Sequence, residues 1–320
     1  MSNGIPTRPG QVNGAGDARA LFLRKFSGEV MATFAMSTQF ADKTLTRTIT
    51  GGRSAQFPAW GRGTAGYHTP GTALQGSTVN TNERVIEIDD KLVADRFVAD
   101  IDEAMNHYEF RGILARDMGE RLAVAYDRNV AQVGILAARA AATVTGLPAG
   151  LQILSQAAQH PGNDASVLID TIFAAARRLD ENDVPKSERY IFVRPQQYYL
   201  LVNSGSRAID TDFNPGGNGG IGAGKIVGLA GMPIIMTNNL VAQNVTTGPT
   251  AYRGDFTKTA ALVLHRSAVG TVKLMDLRMQ SEDQVWRQGT LLVASYAVGH
   301  GILRPEAAVE INIGTQTFPA

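Results

Sequence analysis

The chain has 320 residues, is 44 % apolar, carries a formal charge of +1 and contains no cysteine. That length admits one large domain or two to three small ones, and the apolar share excludes wholesale disorder. Absence of cysteine excludes disulfides and thiol chemistry, and a near-neutral balance without a basic block argues against a protein built to grip nucleic acid.

In chain order, residues 1–16 are polar and glycine-rich, read as a loosely held arm with neither a signal-peptide pattern nor a membrane span. Asp17 is placed to cap a helix from Ala18 to about Ser37, along which Phe22, Phe26, Val30 and Phe34 step by four. Three aromatic residues on one stripe need a partner surface, either the chain's own core or a neighbour. Residues 44–95 differ in kind. Thr, Ser and Gly dominate around isolated Phe57, Trp60, Tyr67, Leu74 and Val79. The pattern predicts two long antiparallel strands joined by a tip at roughly Gly61 to Gly76, the strongest strand being Arg84 to Asp89. So little core material cannot hold such an excursion alone, so it is expected to lie on another copy of the chain. Glu83, Glu87, Asp89 and Asp90 cluster at the strand end, which reads as a solvated face or as partners for arginine from another subunit.

From Asp100 to about Ala142, apolar residues recur at steps of three and four (Met105, Tyr108, Ala115, Met118, Leu122, Tyr126, Val130, Val133), the period of one long helix. Asp100 and Glu103 form a capping-box pattern at its start. Gly112, Gly119 and Gly134 each weaken a helix by about 1 kcal/mol, so a kink or break is expected at one of them. A loop follows from Thr143 to Asp164 with a short apolar piece at Leu151 to Leu154. An amphipathic helix is expected from Ala165 to about Asn182, then a strand at Arg189 to Arg194 and a short helix opened by Pro195. A polar, glycine-rich loop covers residues 203–224. Strands are expected at Ile226–Met236, Ala260–His265, Thr271–Leu277, Leu291–Val298 and Val309–Ile313. Helices first and strands last, without strict alternation, indicate an α+β fold with a mixed sheet.

Residues suited to catalysis do not converge. Gly219 to Lys225 has the spacing of a phosphate-binding loop, but Ile226 stands where Ser or Thr must bind the metal, and no strand-loop-helix context surrounds it. His68, His107, His160, His265 and His300 show no ligand spacing, so no metal is expected, and no cofactor site is identified. Arginine outnumbers lysine 23 to 7, which suits multi-donor contacts and equally a GC-rich coding sequence.

Several stretches together resemble the major capsid proteins of tailed bacteriophages, in particular the T-seven-like podoviruses. They are Leu21 to Val30, Ser54 to Pro58 with Gly61-Arg62, Tyr67 and Pro70-Gly71, the run through Ile88-Asp89, Ala94-Asp95 and Asp100 to Tyr108, and Leu303 to Ala307. The resemblance implies the tailed-phage capsid fold of the Hong-Kong-ninety-seven type. Its parts would be an arm (1–43), an extended loop (44–95), a peripheral domain with the spine helix (96–165 and 281–320) and an axial domain (166–280). It implies a structural, non-enzymatic protein that forms pentamers and hexamers in an icosahedral virion, assembled in the host cytoplasm with a scaffolding protein and a portal. A cement protein would be optional, and packaged double-stranded DNA would be contacted weakly. No lysine lies between Lys43 and Lys91, so no covalent crosslink is expected from the loop. Phe22, Phe26, Phe34, Phe57, Trp60, Arg62, Tyr67, Glu83 and Glu87 are the candidate subunit contacts. The alternatives are a nanocompartment shell of the same fold, which would enclose protein cargo, and a nucleotide-binding enzyme using residues 219–225.

Overall fold

The computed structural model describes residues 29–34, 37–71, 73, 76, 78–99, 110–154, 165–203 and 226–313. The first strands are β1 (Leu45–Thr48), β2 (Ser54–Trp60), β3 (Thr81–Glu87) and β4 (Leu92–Ala99). Helix α1 (Phe110–Ala138) leads to β5 (Leu151–Leu154), α2 (Ala165–Glu181), β6 (Arg189–Val193) and α3 (Pro195–Asn203). Then follow β7 (Gly228–Leu229), β8 (Met232–Met236), β9 (Asn244–Val245), β10 (Gly254–Asp255) and β11 (Thr259–His265). The chain ends with β12 (Val269–Gln284), β13 (Gly289–Ile302) and β14 (Ala308–Asn312). The α+β architecture follows the sequence pattern closely.

The chain forms two compact units. The first comprises Met1–Thr38, Asp90–Tyr126 and Met275–Val298. Its core joins Val30, Val98, Ala115, Met118, Leu122, Met279, Leu292 and Ala294. The stepping of Ala115, Met118 and Leu122 by three and four puts them on one face of α1. β4 pairs antiparallel with β13, Gly289 opposite Ala99 through Tyr296 opposite Leu92.

The second unit comprises Gln39–Asp89, Asp127–Leu274 and Gly299–Ala320. Its centre is a six-stranded sheet in the order β5-β14-β11-β6-β8-β7. The sheet is mixed: β14 with β5 and β6 with β8 are parallel, and β11 is antiparallel to both its neighbours. All seven residues of β11 are buried, as its run of Ala, Leu and Val predicts for a central strand. Helix α2 buries Leu168, Ile169, Ile172, Ala175 and Leu179; the spacing points to Ala176, and the structure buries Ala175 instead. Glu310 of β14 is completely buried and fully partnered: Arg139 meets it through two bonds of 2.7 Å, Gln152 through one of 2.7 Å and Thr259 through one of 2.6 Å. Asp127, also buried, accepts the backbone N–H groups of Gln39 and Phe40 and the Nδ2 of Asn239.

Three sequence expectations are corrected. Helix α1 runs without a break from Phe110 to Ala138. Two of its glycines serve close packing instead: a Cβ on Gly119 would lie 2.8 Å from the Val30 carbonyl oxygen, and one on Gly134 3.0 Å from methyls of Leu262 and Leu264. The strand expected over Ile226–Met236 is two strands, because Ala230 (φ 51°) and Gly231 (φ 74°) form a left-handed two-residue turn between them, the geometry that tight hairpins require. The C-terminal strands run well past their expected ends, β12 to Gln284 and β13 to Ile302. The capping pattern at Asp100 and Glu103 lies outside the described residues, as do all but Asn203 of the loop expected at 203–224 and the Gly219 to Lys225 pattern.

Candidate functional site

The excursion between residues 44 and 95 contains the expected antiparallel hairpin, β2 with β3, in register from Ser54 opposite Glu87 to Trp60 opposite Thr81. Side chains on a strand alternate faces, and here the two faces differ sharply. The inner face carries Ala55, Phe57 and Ala59 on β2, with Ile86, Arg84 and Asn82 opposite them. Ala55 and Ile86 are buried with Val272 and Leu303, and Phe57 packs against that cluster while the Arg47 guanidinium lies 5.8 Å from its ring centroid. A cleft of about 460 Å³ opens beside the hairpin, lined by residues of both its faces, Phe57, Pro58, Trp60 and Arg84, with Leu147, Leu303 and Glu306 among others.

The outer face carries Ser54, Gln56, Pro58 and Trp60, with Thr81, Glu83, Val85 and Glu87, and every one of them is exposed. Trp60 is 69 % and Val85 49 % accessible, beside smaller exposures of Val93 and Phe97 on β4. Beyond the strands, the described residues from Arg62 to Val79 are all exposed, Tyr67 completely so. The expectation that the whole excursion needs a second copy is therefore corrected. Its inner face is partly covered by its own chain, most fully at Ala55 and Ile86, while Asn82, the outer face and the tip are left open.

The sequence candidates divide accordingly. Trp60, Glu83 and Glu87 share the outer face, and Tyr67 stands on the tip. Among the described residues Glu87 pairs loosely with Arg53 at 3.6 Å. Phe57 faces inward. Arg62 is engaged within the chain, bonding Asn182 O at 2.9 Å and Asp183 at 2.7 Å. Phe34 lies edge-on to Tyr126 and Tyr296 in the first unit, at ring distances of 5.9 and 5.6 Å. Phe22 and Phe26 lie outside the described residues. Of the acidic cluster, Asp89 accepts a hydrogen bond from the Tyr252 hydroxyl. Sequence reasoning missed Val85, although it has the same parity as Glu83 and Glu87. It also missed Val285 and Trp286, the latter 74 % accessible, at the turn between β12 and β13.

No group of three or more His, Asp or Glu side chains among the described residues is placed to hold an ion. His300 is buried, which pushes its imidazole down to about 3, and its Nδ1 meets the Thr271 hydroxyl at 3.0 Å. No helix of the described residues is long and apolar enough to cross a membrane.

Comparison with known proteins places this surface in context. The family model described as Gp10A-like, major capsid protein, matches residues 56–312. The major capsid protein of Escherichia phage T7 is 33 % identical over 92 % of this chain and 92 % of its own length. That of Enterobacteria phage T3 is 31 % identical over 95 % of this chain and 94 % of its own. Among solved structures, the capsid of cyanophage P-SCSP1u matches with a TM-score of 0.79 at 39 % identity, covering 98 % of this chain and all of that one. A virus-like particle from Pyrococcus furiosus shares the fold alone, at 13 % identity and a TM-score of 0.56, and the family model and phage T7 relative favour the phage shell over the nanocompartment. The exposed hairpin face thus sits in a Hong-Kong-ninety-seven-type fold, and the chain belongs to the Gp10A-like major capsid protein family, the structural proteins that self-assemble into the icosahedral head of tailed phages and reside in the virion.

Proposed function

We propose that copies of this chain close a shell around double-stranded DNA through noncovalent contacts in which the outer hairpin face lies across a neighbouring copy. The observation that carries this reading is the strip of Pro58, Trp60, Val85, Glu83 and Glu87, ordered on paired strands yet uncovered by its own chain. Aromatic residues dominate interface energetics when a partner buries them, and a closed symmetric shell multiplies each modest contact. With no lysine between Lys43 and Lys91, the loop carries no amine for a crosslink. Trp286 supplies a second projecting contact.

In this reading residues 1–43 are the arm, 44–95 the extended loop, 96–165 with 281–320 the peripheral domain, and 166–280 the axial domain that closes pentamers and hexamers. The chain has no catalytic role. Assembly takes place in the host cytoplasm on a scaffolding protein around a portal vertex, a cement protein can bind outside, and the near-neutral charge keeps the grip on packaged DNA weak. The test is electron microscopy of the chain expressed with and without the phage's scaffolding protein. Closed particles are expected, and Trp60→Asp with Val85→Asp is expected to leave a folded chain that does not close. Intact shells from that double variant would overturn the reading.

A further inference from the structure

Resting on the shell reading, the geometry points to a hairpin that is aimed within the single chain before any neighbour arrives, with only its tip left for a partner to order. Three separate devices hold the stem. The first is a seat of glycines. A Cβ on Gly299 would lie 2.0 Å from the Glu87 carbonyl oxygen, and one on Gly270 or Gly301 2.7 Å from side-chain atoms of Ile86. The end of β3 therefore lies directly on the backbone of β12 and β13, closer than any side chain allows.

The second device ties the two ends of the excursion to one polar chain. At the entry, Thr44 Oγ1 meets Thr271 Oγ1 at 3.1 Å, and Thr271 Oγ1 meets His300 Nδ1 at 3.0 Å. At the exit, the Tyr252 hydroxyl donates to Asp89 and accepts the His300 backbone N–H at 3.2 Å. Entry and exit thus share His300.

The third is a clasp along the inner face. Asn80, Asn82 and Arg84, alternate residues and so on one side of the strand, all reach the loop after α1. Asn80 Nδ2 donates to Thr145 O at 3.1 Å, Asn82 Nδ2 to Thr143 O at 2.6 Å, and Arg84 Nε to Thr143 Oγ1 at 3.3 Å. The Thr143 hydroxyl passes the chain on to Leu303 O at 2.9 Å. Arg62, where the tip begins, closes the clasp on Asn182 and Asp183. An isolated two-stranded hairpin is marginal in water, so any protection of the stem in the lone chain reports these holds.

Hydrogen exchange on the dilute, unassembled chain tests the inference. Amides of β2 and β3 are expected to be protected while those of residues 63–71 exchange freely. In Asn80→Ala/Asn82→Ala/Arg84→Ala the stem amides are expected to exchange about tenfold faster or more, and shells to form more slowly. These substitutions lie apart from the glycine seat and leave it intact, and Gly299→Ala is the harsher second variant. A wild-type stem that exchanges as fast as the tip until shells form would overturn the inference, as would triple-variant exchange equal to wild type. Failure of the wild-type chain to form shells would strike the shell reading instead, and exchange in the dilute chain would still decide the clasp.

Discussion

β11 and β2 are both seven residues long, and they meet opposite fates. Every residue of β11 is buried between two neighbouring strands and against α1, whereas β2 buries Ala55 alone and pairs only with β3. The central sheet is thus stabilised wholly within one chain. The hairpin is only half provided for: its inner face is held by Ile86, Arg84 and the 143–145 loop, and its outer face offers Trp60 and Val85 to something else. The difference teaches where this protein keeps its folding energy and where it keeps its binding energy.

Substitutions can break that division from either side. Leu262→Ala in β11 empties a completely buried site and is expected to destabilise the lone chain by about 3–5 kcal/mol, read as the shift in a denaturant titration. Glu310→Ala strands the Arg139 guanidinium beside a vacated site and is expected to cost about 3 kcal/mol in the same titration. Trp60→Ala is expected to leave that titration unchanged within about 0.5 kcal/mol, yet to weaken each subunit contact by about 2 kcal/mol, seen as a raised threshold concentration for shell formation by light scattering. If Trp60→Ala instead unfolded the chain, the division would fail.

The smallest effect concerns Asp127. Burial holds its carboxyl above the ordinary carboxylate range, outweighing the bonds from Gln39, Asn239 and Phe40. A group raised in the fold contributes stability that is complete below its unfolded pKa and is lost as pH rises through its folded pKa. Relative to Asp127→Asn, the wild type is therefore expected to lose unfolding free energy as pH rises from about pH 4. Asp117, lowered chiefly by its hydrogen bond with Arg96, and the buried imidazoles of His300 and His265, lowered by burial, act in the opposite sense, so only the difference between wild type and variant isolates Asp127.

The sequence made the regular elements legible where periodicity was strong, as in α2, β6, β11 and β14. The hairpin was legible as well, from its poverty of core residues and its glycine-rich tip. Its two faces were not separated, although the signal was present: Phe57 and Trp60 differ by three, an odd number, so one strand must turn them to opposite sides. The glycines of α1 were read for helix propensity, a local property, while Gly119 and Gly134 answer to residues about ninety or more positions away in sequence, Val30 and Leu262 among them. Asn80, Asn82 and Arg84 look like any solvated strand edge until the 143–145 loop is brought beneath them. Long-range contacts of this kind leave no periodic trace.

The seat at Gly299 has a genetic consequence. A residue deep in a strand, remote in sequence from the hairpin tip, governs where that tip arrives, because no side chain fits between it and the Glu87 carbonyl. Assembly-defective mutants selected at random should therefore include a class that maps to this buried position, and their second-site revertants should fall near Ile86 and Glu87 on the displaced strand.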